Sequence, residues 1–326
     1  MINFFRTLNP LNLFLLVIVA MILRIGVFIE LPANLSFEFI EPFAKLLIAI
    51  PLENSFTTEE NILIAFVISV IQAMLFNRII NKHNLLGKPT FLPGLMYITS
   101  SCLLVPFLVL SPALICNFLL IWMIDLFLGI YKQGYAMSIM YDCGIIIGVG
   151  TIIYFPFIAM LLTLWICLLI FRAFNWREWV AGILGFATVF FFIAVFYYWN
   201  NSLTKFYNIW LPLTSRFPTK FDINIYDYLV LIPIIPIVIL GVYHLRGKFF
   251  RSFVQVRKSF QLLFFIFLIA VVSFYLKSDH PIYHFLLCIP SGAVLMAYYF
   301  LNASKRWFYE GLFVILTGSI IYFQVY

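Results

Sequence analysis

Apolar run follows apolar run along this chain, and most come close to the length a helix needs to cross a bilayer. A crossing helix takes about 20 residues. Eleven stretches are predicted to span: about 12–29, 61–77, 90–109, 112–130, 136–154, 157–172, 179–198, 227–243, 259–276, 283–301 and 308–325. Backbone N–H and C=O groups find no water in lipid, so only helices or closed barrels cross it, and helices are the default. Composition closes off the soluble alternative. Charged residues make up 10% of the chain, against about 25% in soluble domains, and the mean hydropathy is +1.07. The predicted fold is all-α: one polytopic transmembrane helical bundle of about eleven spans, with residues 1–326 forming a single integral membrane domain. No small-residue cleavage site follows the first apolar run, so that run is expected to stay as a span.

The basic residues set the expected orientation. With the N-terminus cytoplasmic, the inner segments hold Arg6, Arg78, Lys82, Lys88, Lys132, Arg172, Arg177, Arg246, Lys248, Arg251, Arg257, Lys258, Lys305 and Arg306, fourteen of the twenty Lys and Arg. That bias follows the positive-inside rule. It also accounts for the formal charge of +7 without nucleic acid as a partner. The run Arg246–Lys258 (RGKFFRSFVQVRK) reads first as an inner topology anchor and second as a contact for anionic lipid heads.

The acids are distributed the other way. Six of the thirteen Asp and Glu fall in one predicted outer loop over about 30–60: Glu30, Glu38, Glu41, Glu53, Glu59 and Glu60. Within it, FAKLLIAIPL (43–52) is apolar but too short to cross, so a re-entrant or interfacial helix is expected there. A second outer loop, about 199–226, is rich in aromatic residues, as interfacial segments are. No internal repeat suggests an inverted-repeat transporter.

Three constellations can carry chemistry. In LRIGVFIELPANLSFEFIEPFAK (23–45), Arg24 precedes Glu30, Glu38 and Glu41. A carboxylate at the membrane edge can act as general base on an acceptor hydroxyl, and an arginine can hold a phosphate through two parallel hydrogen bonds. The plain alternative is an arginine reaching outward to the headgroups above a solvated loop. In KSDHPIYHFLLCIP (277–290), Lys277, Asp279, His280 and His284 cluster at an outer turn. They suit a phosphate or a sugar, an ordinary polar turn, or a divalent metal. The spacing is not a metal motif, and Pro281 interrupts a continuous helix face. Third, Asp125, Asp142 and Glu310 lie inside predicted spans, where acids either relay protons or pair with a neighbouring helix. Asp142 sits beside Gly144, Gly148 and Gly150, a small-residue packing face. Glu178, between Arg177 and two Trp, reads as an interfacial anchor. The five cysteines form no CxxC and read as buried small hydrophobes. Phosphate-loop, dinucleotide, zinc-protease and hydrolase motifs are absent. The four histidines divide two and two between the predicted faces, which excludes a four-histidine iron site.

LRIGVFIELPANLSFEFIEPF (23–43), AMSIMYDCGIIIGVGTIIYFPFIAMLLTLWICLLIFRAF (136–174) and HPIYHFLLCIPSGAVLMAYYF (280–300) resemble the layout of the GT-C-fold glycosyltransferases that use polyprenyl-phosphate sugars. The chain is also similar to a bacterial family of multi-spanning membrane proteins of unstated activity. The resemblance implies a lipid-linked sugar donor and membrane lipids as partners, transfer on the outer face of the bacterial inner membrane, and no cofactor beyond a divalent metal that no motif supports. Carried over by position, Glu38 or Glu41 takes the base role, and Arg24, Lys277 and His280 face the lipid phosphate. The first outer loop departs from that superfamily's pattern by carrying glutamates where aspartates are usual. Two other classes stay open: a transporter or flippase using Asp125, Asp142 and Glu310, and a non-catalytic subunit of an envelope-assembly or export complex.

Overall fold

The computed structural model describes residues 1–29, 57–201, 204, 206, 229–248, 253–276 and 282–325. The interfacial segment 43–52, most of both expected outer loops and the start of the 277–290 turn lie outside these residues. Every regular element among the described residues is a helix. In chain order they are α1 (Ile2–Phe5), α2 (Leu11–Ile22), α3 (Ile25–Ile29), α4 (Thr58–Lys82), α5 (Leu92–Ser101), α6 (Pro112–Gly129), α7 (Met137–Ile153), α8 (Leu161–Phe171), α9 (Trp176–Trp199), α10 (Ile234–Lys248), α11 (Val254–Val272), α12 (Ile289–Asn302) and α13 (Arg306–Val325).

Among the described residues six helical stretches are long and apolar enough to cross a membrane: Thr58–Lys82, Pro112–Gly129, Trp176–Trp199, Leu229–Gly247, Val254–Leu276 and Ile282–Asn302. Shorter apolar helices accompany them at Leu11–Ile22, Met137–Ile153 and Phe155–Phe171. The outward-facing residues fit a lipid environment. Phe191 and Phe192 on α9 are exposed at 64% and 66%, and only 28% of that helix's apolar window is buried. A surface of that kind in water would be an aggregation site. Ile282–Asn302 lies at the centre instead, with 78% of its window buried.

Several predicted spans are not continuous α-helices. Residues 90–109 resolve into α5 and a 3-10 turn at Val105–Phe107. Ten α-helical residues rise only about 15 Å, half the hydrocarbon thickness. Residues 157–172 become a 3-10 segment, Phe155–Met160, leading into α8. The last broken span is a 3-10 segment, Ile282–Cys288, leading into α12. Prolines mark the breaks: Pro106 and Pro156 open 3-10 turns and Pro290 stands in the first turn of α12. A proline at a helix start loses no bond, because that N–H has no partner in the helix.

The second expected span begins earlier than its apolar run. Thr57 accepts from the Glu60 backbone N–H, and the Glu60 carboxylate accepts from the Thr57 N–H, closing a capping box. Glu59 and Glu60 therefore belong to the first turn of α4 rather than to the loop. The box was legible as Thr-x-x-Glu, although hydropathy alone hid it.

The predicted small-residue face is where α7 and α9 meet. A Cβ on Gly144 would stand 2.2 Å from the Gly182 carbonyl oxygen, and one on Gly185 would stand 2.1 Å from that of Tyr141. The backbones cross too closely for any side chain at these two positions. Gly148 packs on Val189 of α9, while Gly150 faces Phe157 instead.

Side-chain bonds tie the helix ends into two groups. At one end, Arg6 donates to the carbonyls of Phe300 and Ala303, the N-terminal amine pairs with Glu310 at 2.9 Å, and Phe91 N–H donates to Phe5. Asn81 exchanges two hydrogen bonds with the Thr90 backbone, and Lys82 pairs with Asp125. Past α6, Arg172 donates to the carbonyls of Gln133 and Gly134. This is the basic end. The far end holds the start of α4, the Val105–Phe107 turn and the segment Ile282–Cys288.

Candidate functional site

Arg24 sits in the turn between α2 and α3, beside Ser69 midway along α4, and it is 1% exposed. It does not reach outward. One guanidinium nitrogen, Nη2, donates to Ser69 Oγ at 2.8 Å, and Ser69 in turn donates to the Ala65 carbonyl. The guanidinium carbon lies 5.4 Å from the Phe66 ring centroid. The other terminal nitrogen, Nη1, is buried with no hydrogen-bond partner. Among the described residues no carboxylate pairs with this arginine. A guanidinium carries five donors, and a buried cation left with a single hydroxyl is costly.

An apolar cavity of about 420 Å³ opens at the far end. The Val105–Phe107 turn, α10, α11 and the Ile282–Cys288 segment wall it, with Leu103, Phe107, Val238, Phe267, Phe285 and Met296 among the lining side chains. Ser100 brings the cavity's one hydroxyl among the described residues. Irregular backbone at this depth is tolerated only where protein satisfies it. Here buried side chains do so. Asn117 of α6 donates to the Leu286 carbonyl at 2.9 Å. Gln72 of α4 donates to the Leu114 carbonyl and accepts from the Tyr97 hydroxyl.

His284 belongs to this supporting layer. It is fully buried, with Nε2 2.8 Å from the Ala270 carbonyl and 3.1 Å from Ser273 Oγ, and Nδ1 2.8 Å from the Tyr154 hydroxyl. A carbonyl only accepts, so Nε2 carries a ring proton, and Nδ1 pairs with the Tyr154 hydroxyl. Both ring nitrogens are committed to the protein, and the histidine pins the Ile282–Cys288 segment against α11 and the Tyr154 corner. Arg24 and His284 share no hydrogen bond. Glu38, Glu41, Lys277, Asp279 and His280 lie outside the described residues.

The intramembrane acids stand apart from one another. Asp125 takes Lys82 on both oxygens, at 3.0 and 2.9 Å, and the His83 ring at 2.6 Å. Glu310 holds the N-terminal amine, and Asp142 is exposed on α7. Glu178 is buried: one oxygen accepts from the Ala136 N–H at 3.1 Å, and the other lies 3.1 Å from Arg172 Nε as an ion pair rather than an aligned hydrogen bond. It is thus an internal clamp, where an interfacial anchor was expected.

Among the described residues no three His, Cys, Asp or Glu gather to hold a metal. His83, His244 and His284 occupy three separate settings, beside Asp125, stacked on Tyr299 and bonded to Tyr154. All five cysteines are free and buried. Sequence reasoning passed over Gln72, Tyr97, Asn117, Tyr154 and Ser273. Gln72 and Asn117 carried a usable signal, each being a lone amide inside a long apolar run.

No curated protein and no solved structure matches the chain. A family model does match, over residues 33–326, and by that match the chain belongs to DUF6427, a family of unknown function.

Proposed function

We propose that this protein is a membrane-embedded transferase of glycosyltransferase type that takes a sugar from a polyprenyl-phosphate donor. One observation carries the reading: Arg24, buried beside Ser69 with Nη1 unpartnered. The donor's phosphate supplies the missing anion, held by the planar guanidinium fork. The apolar cavity of about 420 Å³ takes part of the polyprenyl chain. In this reading Glu38 or Glu41 removes the proton of an acceptor hydroxyl. The acceptor oxygen attacks the anomeric carbon, the bond from that carbon to the phosphate oxygen breaks, and the phosphate leaves with the electron pair. Arg24 stabilises the charge that collects on the leaving phosphate.

The orientation follows from the same proposal. The basic end faces the cytoplasm, the chain crosses about eleven times, and the far end meets the donor from the outer leaflet of the bacterial inner membrane. The basic residues gathered around Arg6, Lys82 and Arg172 support that direction.

The test is transfer in proteoliposomes supplied with labelled polyprenyl-phosphate sugars. Transfer or donor hydrolysis by the wild type, abolished by Arg24→Met and by Glu38→Gln with Glu41→Gln, is the expected result. A folded protein that turns over no donor of this class overturns the proposal.

A further inference from the structure

We propose that a cleft between α4 and α6 at the basic end is a binding site for an anionic phospholipid, with the phosphodiester against Arg78 and Lys82. The site is remote from the far-end cavity and independent of the transferase reading.

Two helix faces build the cleft. Leu75, Arg78, Ile79 and Lys82 follow i, i+3, i+4, i+7 on α4, and Phe118, Ile121, Trp122 and Asp125 follow the same spacing on α6. Each stripe therefore presents one helix face. Together they enclose about 320 Å³. On both helices the stripe ends on a charged residue towards the basic end: Lys82 closes α4, and Asp125 stands one turn before the end of α6. Trp122 is 56% exposed beside the charged group, the position an indole takes at a membrane–water boundary.

Charge selects the occupant. The Lys82 ammonium is held by both Asp125 oxygens, and one of these also meets His83. Arg78 is exposed and makes no hydrogen bond or ion pair among the described residues. Two cations against one carboxylate leave the cleft with one net positive charge, which matches a singly charged phosphodiester. A zwitterionic lipid would add a cationic headgroup, and the one carboxylate in the cleft is already occupied. The apolar stripes take the start of the acyl chains, while a free phosphate has nothing to place there.

The experiment is lipid retention by the full-length protein in detergent, offered phosphatidylglycerol and phosphatidylcholine in equal amounts and read by native mass spectrometry. A preference for phosphatidylglycerol is expected. It should fall about fivefold in Arg78→Gln, the effect of one interfacial cation. It should hold in Arg246→Gln, which removes another exposed cation, on α10. Brominated phosphatidylglycerol should quench the wild type more than Trp122→Phe, which locates the lipid at the cleft. Equal retention by wild type and Arg78→Gln overturns the proposal, as does an equal loss in Arg246→Gln or quenching that is indifferent to Trp122. Arg78 is exposed, so its substitution leaves the packing intact.

Discussion

Two regions of the bundle hold charge in different ways. At the basic end acids meet cations: Asp125 with Lys82, Glu178 with Arg172, Glu310 with the N-terminal amine. Midway along α4, Arg24 is fully buried beside a serine and a phenylalanine, with one nitrogen of its fork unbonded. The first arrangement closes on itself and fastens helix ends. The second leaves one buried guanidinium nitrogen without a partner, which is costly.

The sharpest way to break this contrast is Arg24→Met. If the cation serves the donor, sugar transfer falls by about a hundredfold or more, as when a single charge-stabilising donor is lost. The thermal midpoint in detergent should stay level or rise, because an apolar side chain replaces a buried charge at similar volume. A midpoint that drops as far as activity would return Arg24 to a structural role. The basic end should behave in reverse. Glu178→Leu leaves Arg172 without its carboxylate and the Ala136 N–H without an acceptor, and should cost about 3 kcal/mol in denaturation. An unchanged midpoint would show that the clamp contributes nothing.

His284→Leu tests the layer beneath the far-end site. It removes the ring's hydrogen bonds to the Tyr154 hydroxyl and the Ala270 carbonyl, with an expected loss of about 2 kcal/mol by denaturant titration. A neutral result would mean that the Ile282–Cys288 segment does not depend on the ring. The smallest effect belongs to Lys82→Gln. Its partner is partly exposed, so stability should change by less than about 1 kcal/mol. A larger loss would make the Lys82–Asp125–His83 group a structural element comparable to the Glu178 clamp.

Helical class, membrane character and the rough positions of the apolar segments were legible in the chain, because a bilayer demands long apolar runs whatever their neighbours are. The glycine face was legible too: Gly144 has no side chain, and a close helix crossing is the use for that. The breaks at Pro106, Pro156 and Pro290 were visible as residues, but hydropathy counts a 3-10 turn and an α-helix alike.

What Arg24 does could not be read from its place in the sequence. An arginine near the end of an apolar run reaches for headgroups if its helix faces lipid, and is enclosed if other helices surround it. Only the packing of α2 and α3 beside α4, which sets Ser69 and Phe66 against the guanidinium, decided between them. The same holds for His284, whose sequence neighbours suggested an exposed turn and whose hydrogen-bond partners come from residues 154, 270 and 273. Local sequence determined which segments leave water, since transfer free energy is a sum over side chains. Tertiary structure decided which polar groups are satisfied, since a hydrogen bond needs a partner at about 3 Å and the chain alone does not say who arrives there.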